Sequence, residues 1–360
     1  MELKLDLNKT YAIALEGGGA KGSYEVGVWK ALDEAGIKYN AVAGTSVGAL
    51  NGAMMAMRDL PGAIRAWLDV RLSDIVSVDE EYEDEMLRIF SGEGGLADIK
   101  EMLPQALDII KNRGLDVSPL RRWVTGLANT KKIKNSDVEL FVTTVALSDK
   151  KTLDVKVNEL PEDEICDMLL ASAYHPTFRL ERLGGKYYAD GGFFDSLPIY
   201  PLVEAGYKDI IAVCIPGKGI HRRFKLPEDV SVTYIDTDSD LGGTLNFDYE
   251  QSKRNLEIGY YDAKRVLYGL SGSRYYIERS MDERAALDAL IDFFHQTDGD
   301  LRTLTEYELP RLAGKLDLED GSYYDILIAH CERLALKHGL ETMKIYTDTE
   351  LVALVKKLEE

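Results

Sequence analysis

The first apolar run of the chain, residues 11–16 (YAIALE), ends in three glycines, the pattern of a buried strand delivered into a sharp turn. From Ser23 to Ala35 apolar residues return at Val26, Trp29 and Leu32 with polar positions between, which predicts a helix closed by Gly36. A short strand at 41–43, a turn at 44–48 and a helix of small residues follow. This repeated strand–turn–helix rhythm predicts an α/β fold with a parallel sheet and helices packed on its faces. Further strands are expected at 139–147, 210–215 and 230–235, with a short helix at 201–206. Residues 80–135 have weak strand character and read as a helical insertion able to cap a pocket. From about residue 276 the pattern turns mainly helical, with Leu287, Leu290, Ile291 and Phe294 on one stripe and more helix at 326–336 and 351–358. The expected division is therefore an α/β domain over 1–275 and a helical appendage over 276–360.

Residues 39–57 run without a charge for nearly the ~20 positions that cross a bilayer. Gly44, Gly48, Gly52, Thr45, Ser46 and two asparagines break the run, so a buried strand–turn–helix is the better reading. The N-terminal residues lack the basic start and apolar block of a secretory signal. Three cysteines, widely spaced and without a CxxC pair, predict no zinc site and no disulfide framework, and point to a cytoplasmic, reducing compartment. With 62 acidic and 43 basic side chains the net charge is −19, which argues against nucleic acid as a partner and against broad adsorption to anionic membranes. The acidic run at 79–85 reads as solvated surface.

Two glycine motifs carry chemistry. GGGAKG at 17–22 fits GxGxxG, but the acidic residue that a dinucleotide fold needs after its second strand is missing. A Walker loop is excluded because Lys21 is followed by Gly22. What remains is a loop whose amides, beside a helix N-terminus, suit a phosphate or a transient oxyanion. GTSVG at 44–48 fits GxSxG and lies between a strand and a helix, the setting of a nucleophile elbow. Gly44 and Gly48 let strand and helix approach, and Ser46 stands at the tip; the plainer alternative is a Gly-rich turn with a helix-capping serine. Of the histidines, His295, His330 and His338 fall in the helical tail, His175 ends a helix-like segment, and His221 sits in a basic patch. Asp190 opens DGG with Gly191 and Gly192, after an apolar YYA; alone, it would read as a hairpin turn.

Taken together, GGGAKG, GTSVG and DGG resemble the patatin-like phospholipase family over residues 8–215. Ala171-Ser172 through Pro176, and Pro198, add to the likeness. The resemblance implies a three-layer α/β/α fold with a mainly parallel sheet, and lipid acyl ester hydrolysis through an acyl-enzyme. It puts the nucleophile on Ser46, the base on Asp190, and the oxyanion hole on Gly17, Gly18, Gly19 and Ala20. Lys21, Gly22, Gly44, Gly48, Gly191 and Gly192 are supporting residues. Tyr174, where a small residue is common, and Ser196, where asparagine is frequent, depart from the family pattern. No metal and no cofactor are expected. The expected partners are a lipid or other acyl ester substrate and a transient peripheral membrane contact, with no stable protein partner. Two alternatives stand beside this: an α/β-hydrolase esterase with a Ser–His–Asp triad, and a catalytically silent lipid- or anion-binding module. An acyl groove could come from Leu87, Ile89, Phe90, Leu103, Leu107, Ile109 and Ile110, and lipid headgroups could meet basic clusters at 131–134 and 221–225.

Overall fold

The computed structural model describes residues 1–77, 115–175, 177–217, 219–294, 301–318 and 320–359. The acidic run at 79–85, the seven apolar residues from Leu87 to Ile110 and His295 lie outside them. Two compact units form: Leu5–Ala263, and Lys264–Glu360 together with Met1–Lys4.

The larger unit opens with β1 (Thr10–Leu15), buried from its second residue onward as a central parallel strand must be. Then come α1 (Ser23–Glu34), β2 (Lys38–Thr45), α2 (Val47–Ala56) and α3 (Leu60–Asp69). The uncharged stretch at 39–57 is thus a strand, a turn and a helix, and no described helix is long and apolar enough to cross a membrane. β2 is longer than the apolar run suggests, because Tyr39 is buried between the exposed Lys38 and Asn40.

The sheet continues with β3 (Glu139–Ala146), β4 (Lys151–Lys156), β5 (Tyr188–Asp190), β6 (Asp209–Val213) and β7 (Ser231–Ile235). Its order is β4-β3-β2-β1-β6-β7; β4 and β5 run antiparallel to β3, and the other pairings are parallel. Helices pack on both faces. On one, Ala12, Ala14, Ala41, Ala43 and Ala212 let Leu202 of the helix Ile199–Glu204 lie close to the strands.

Two elements escape the hydrophobic pattern. β4 (KTLDVK) is a half-exposed edge strand without an apolar run. The helix Tyr249–Tyr268 buries Ser252, Asn255, Gly259 and Asp262 together with Ile258 and Ala263, so polar positions interrupt its apolar stripe. It meets α1 backbone to backbone: a Cβ on Gly27 would stand 2.1 Å from the Leu256 carbonyl oxygen, and one on Gly259 2.0 Å from that of Tyr24.

In the other unit the expected helices appear at Glu283–Phe294, Tyr323–Lys337 and Asp348–Glu359. They pack Leu290, Leu327, Cys331, Leu351 and Val355 into a separate core. A parallel pair of short strands, β8 (Tyr276–Glu278) and β9 (Ile345–Thr347), accompanies these helices. The buried Glu332 accepts the amides of Ser273, Arg274 and Tyr275, which fixes the chain leading into β8.

Candidate active site

The sheet register brings two distant motifs together. β2 pairs with β3 as far as Thr45↔Thr143, and there β2 ends. The next residue of β3, Thr144, pairs with Asp190 of β5, which enters antiparallel from the other direction. Ser46, one residue past Thr45, and Asp190 therefore meet end to end beside the same strand.

Ser46 has φ 57° and ψ −130°, a strained conformation for a residue with a side chain. Its amide donates to Ser172 Oγ at 2.9 Å, and Ser172 Oγ donates to the Thr143 carbonyl at 2.7 Å. The Ser46 side chain makes no capping bond to α2, unlike the helix-capping serine considered above. Gly44 is required here: a Cβ on it would lie 2.2 Å from the Gly48 carbonyl oxygen.

Asp190 is 6% exposed. Its amide donates to the Tyr174 carbonyl at 2.9 Å, and its Oδ1 accepts the Gly192 amide at 2.8 Å. The residues after it form a short 3-10 turn, Gly191–Phe193, instead of a hairpin. Burial raises the pKa of Asp190 from 3.8 to about 6, against the opposing hydrogen bonds of the Gly192 amide and the Ser46 side chain. A carboxylate near 6 is a competent proton acceptor at neutral pH.

The glycine loop lies alongside, with φ of 78°, 128° and 63° at Gly17, Gly18 and Gly19. The Gly17 amide donates to Glu25 Oε1 and the Ala20 amide to the Thr244 carbonyl, each at 2.7 Å. Among the described residues nothing accepts the amides of Gly18 and Gly19. Lys21 bridges to the Pro216 carbonyl through Nζ at 2.9 Å, and Gly22 leaves room for Trp67 and Val47.

These residues line a cavity of about 290 Å³. Ser46, Asp190 and Gly17 to Gly19 supply its polar wall; Ile75, Leu120, Trp123, Phe178, Ile215 and Phe247 supply an apolar one. Such a lining suits an acyl chain with a polar end. His175 also reaches the cavity, where burial lowers its pKa; its Nδ1 meets Thr177 Oγ1 at 2.9 Å and its ring packs against Phe178 and Phe193.

Within the basic cluster at 221–225, His221 and Arg222 meet carboxylates. His221 Nε2 lies 2.9 Å from Glu16 Oε1, and Arg222 pairs with Asp154 and Asp195. Both family departures have local roles. The Tyr174 hydroxyl donates to the Arg179 carbonyl, and Ser196 Oγ donates to Glu16 Oε1 at 3.0 Å. Glu16 and Glu25 were not singled out from sequence, and Ser172 entered only through the family likeness, without a role. A carboxylate closing the apolar run of β1 is the one signal that could have flagged Glu16. Among the described residues no group of acidic, histidine and cysteine side chains could hold a metal ion.

A mainly parallel α/β sheet with a strained serine turn after its second strand defines the class of fold. The profile of the family described as patatin-like phospholipase matches residues 13–203, more than half of the chain, and the chain belongs to that family. Lysophospholipase nte1 of Aspergillus terreus is 52% identical over 48 residues, which are 13% of this chain and 3% of that protein. Patatin-like phospholipase domain-containing protein 6 of Homo sapiens is 51% identical over 47 residues, 13% of this chain and 3% of its own. Patatin-like phospholipase domain-containing protein 7 of Rattus norvegicus is 27% identical over 210 residues, 58% of this chain and 14% of its own. The chain thus spans a small part of these curated relatives. Among solved structures, VipD from Legionella pneumophila is 17% identical with a TM-score of 0.41, over 96% of this chain and 83% of its own.

Proposed function

We propose that the protein is a serine-type lipid acyl hydrolase, cleaving carboxylic esters through an acyl-enzyme with Ser46 as nucleophile and Asp190 as base. The observation that carries this reading is the register of β5: a buried carboxylate stands where β2 stops, facing the serine that follows. Asp190 takes the Ser46 proton as the hydroxyl oxygen attacks the ester carbonyl. The oxyanion is held by the amides of Gly18 and Gly19, since those of Gly17 and Ala20 have acceptors of their own. Each such donor is worth about 3 kcal/mol in the transition state. Asp190 returns the proton to the departing alcohol, then activates a water that releases the acid.

The reading makes Asp190 the base and leaves His175 as part of the cavity wall, where its Nδ1 is engaged by Thr177. The reaction needs no cofactor and no metal. The unit Lys264–Glu360 is an appendage outside the chemistry, and we place the enzyme in the cytoplasm. A fluorophosphonate probe should label Ser46, with phosphatidylcholine, lysophospholipid, triacylglycerol and a short ester compared as substrates. Labelling of Ser46 with preference for a long acyl chain is expected; no labelling and no hydrolysis would overturn the reading in favour of a silent binding module.

The cavity rim supports a transient lipid-surface contact. Phe193 and Ile220 line it and are 52% and 54% exposed, unusual for large apolar side chains. Replacing both by aspartate should reduce hydrolysis of vesicle lipid about tenfold more than that of a monomeric ester, because each charge opposes burial in the interface. Equal losses on the two substrates would remove the membrane contact from the proposal.

A further inference from the structure

Two buried carboxylates flank the glycine loop, and the reaction above uses neither. Glu16 closes β1; its Oε1 accepts Ser196 Oγ and meets His221, and its Oε2 accepts the Ile215 amide. Glu25, in the first turn of α1, is 1% exposed and has no cationic partner among the described residues. Its Oε1 accepts the Gly17 amide at 2.7 Å and its Oε2 accepts Asn51 Nδ2 at 2.7 Å.

Asn51 can present only its donor face to Glu25. Its Oδ1 is taken by Trp67 Nε1 at 2.8 Å, and its Nδ2 also reaches the Gly22 carbonyl at 2.9 Å. Trp67 in turn stacks on Phe247 and meets Trp123 edge-on, both with centroids 6.2 Å away, and both these rings line the cavity. An unbroken chain of contacts therefore runs from the apolar wall of the cavity to the first amide of the glycine loop. The peptide it fixes is the one leading into Gly18 and Gly19.

We propose that Glu25 is a positioning residue for the oxyanion-binding loop: it fixes the Gly17 amide, and when it carries charge it opposes the oxyanion at Gly18 and Gly19. The inference rests on the catalytic reading above. The charge effect follows from placement, since a carboxylate in a water-poor interior, bonded to the first amide of the loop, repels a second negative charge developing on that loop. The groups facing Glu25 do not neutralise it. Glu16 follows β1, Cys214 follows β6 and α2 contributes Asn51, with Trp67 of α3 behind Asn51. Burial, and to a lesser degree Glu16, push Glu25 up to about 7 against the bonds from Asn51 and Gly17. Cys214 is pushed up to about 12, first by burial, and stays a thiol. The switch in charge thus falls near neutral pH.

The test is the pH dependence of kcat/KM on a soluble short-chain ester, with fluorophosphonate labelling of Ser46 in parallel. The wild type should lose about fivefold or more of its activity between about pH 6.5 and about pH 8.5. Glu25→Gln should lose that alkaline limb and keep the acid limb, with a lower maximum because its amide nitrogen faces Asn51 Nδ2. A purely structural role would lower activity at every pH and leave the shape unchanged. Glu16→Gln supplies a second variant: removing its charge should move the alkaline limb to lower pH. A wild-type plateau through about pH 8.5 would overturn the inference. So would an alkaline limb unmoved in both variants. If Ser46 is not labelled at any pH and no ester is hydrolysed, the catalytic reading fails; labelling and turnover with the wrong profile defeat the role of Glu25 alone.

Discussion

Replacing Ser46 by alanine is expected to lower kcat/KM for a p-nitrophenyl acyl ester by about 10⁴-fold or more, the scale on which loss of a covalent nucleophile is felt. The fold should survive. The hydroxyl caps no helix, and the contact that anchors the turn, from the Ser46 amide to Ser172 Oγ, belongs to the backbone and persists in the variant. The melting temperature should accordingly stay within about 3 °C of wild type. Ser46→Gly should be equally inactive but more stable than the alanine variant, because glycine adopts φ 57° without strain. A folded Ser46→Ala protein with wild-type turnover would remove the serine from the mechanism, and with it the acyl-enzyme.

Much of this site could be read before any coordinates, and the reason is physical. Backbone that must turn sharply or approach other backbone closely leaves no room for Cβ, so it leaves glycines in the sequence. Gly44 beside the Gly48 carbonyl and Gly191 beside the Thr143 carbonyl, the latter 2.3 Å from a would-be Cβ, are such places. Buried parallel strands are similarly visible as apolar runs, which is why β1, β3 and β6 fall close to their expected positions. What sequence cannot display is pairing at a distance. That Asp190 faces Ser46 depends on β5 occupying the sheet position beyond Thr45, and no local pattern encodes that register. Nor does any spacing link Glu25 to Asn51 and Trp67, which α1, α2 and α3 bring together. The helix Tyr249–Tyr268 was illegible for a related reason, since Ser252, Asn255 and Asp262 are buried among the apolar residues of its inner face and blur the pattern.

Asp190→Asn should separate function from stability. Activity is expected to fall by about 10³-fold, near the upper range for loss of a general base, because the amide cannot take the Ser46 proton. Stability should move the other way. Burial raises Asp190 from 3.8 to about 6, so between those values the folded protein holds a proton that the unfolded chain has released. Stability then declines as pH rises through this window, and above it the buried charge costs about 3 kcal/mol. Asparagine carries no charge and can still accept the Gly192 amide through its Oδ1. The variant should therefore exceed wild type by about 2–3 kcal/mol in urea unfolding at about pH 7.5, and the difference should close as pH falls toward about 4. The acid limb of the wild-type pH–rate profile should fall in the same window, near pH 6, since one titration governs both. If the variant is less stable than wild type at neutral pH, or its advantage does not change with pH, Asp190 is not the strained buried base that the mechanism requires.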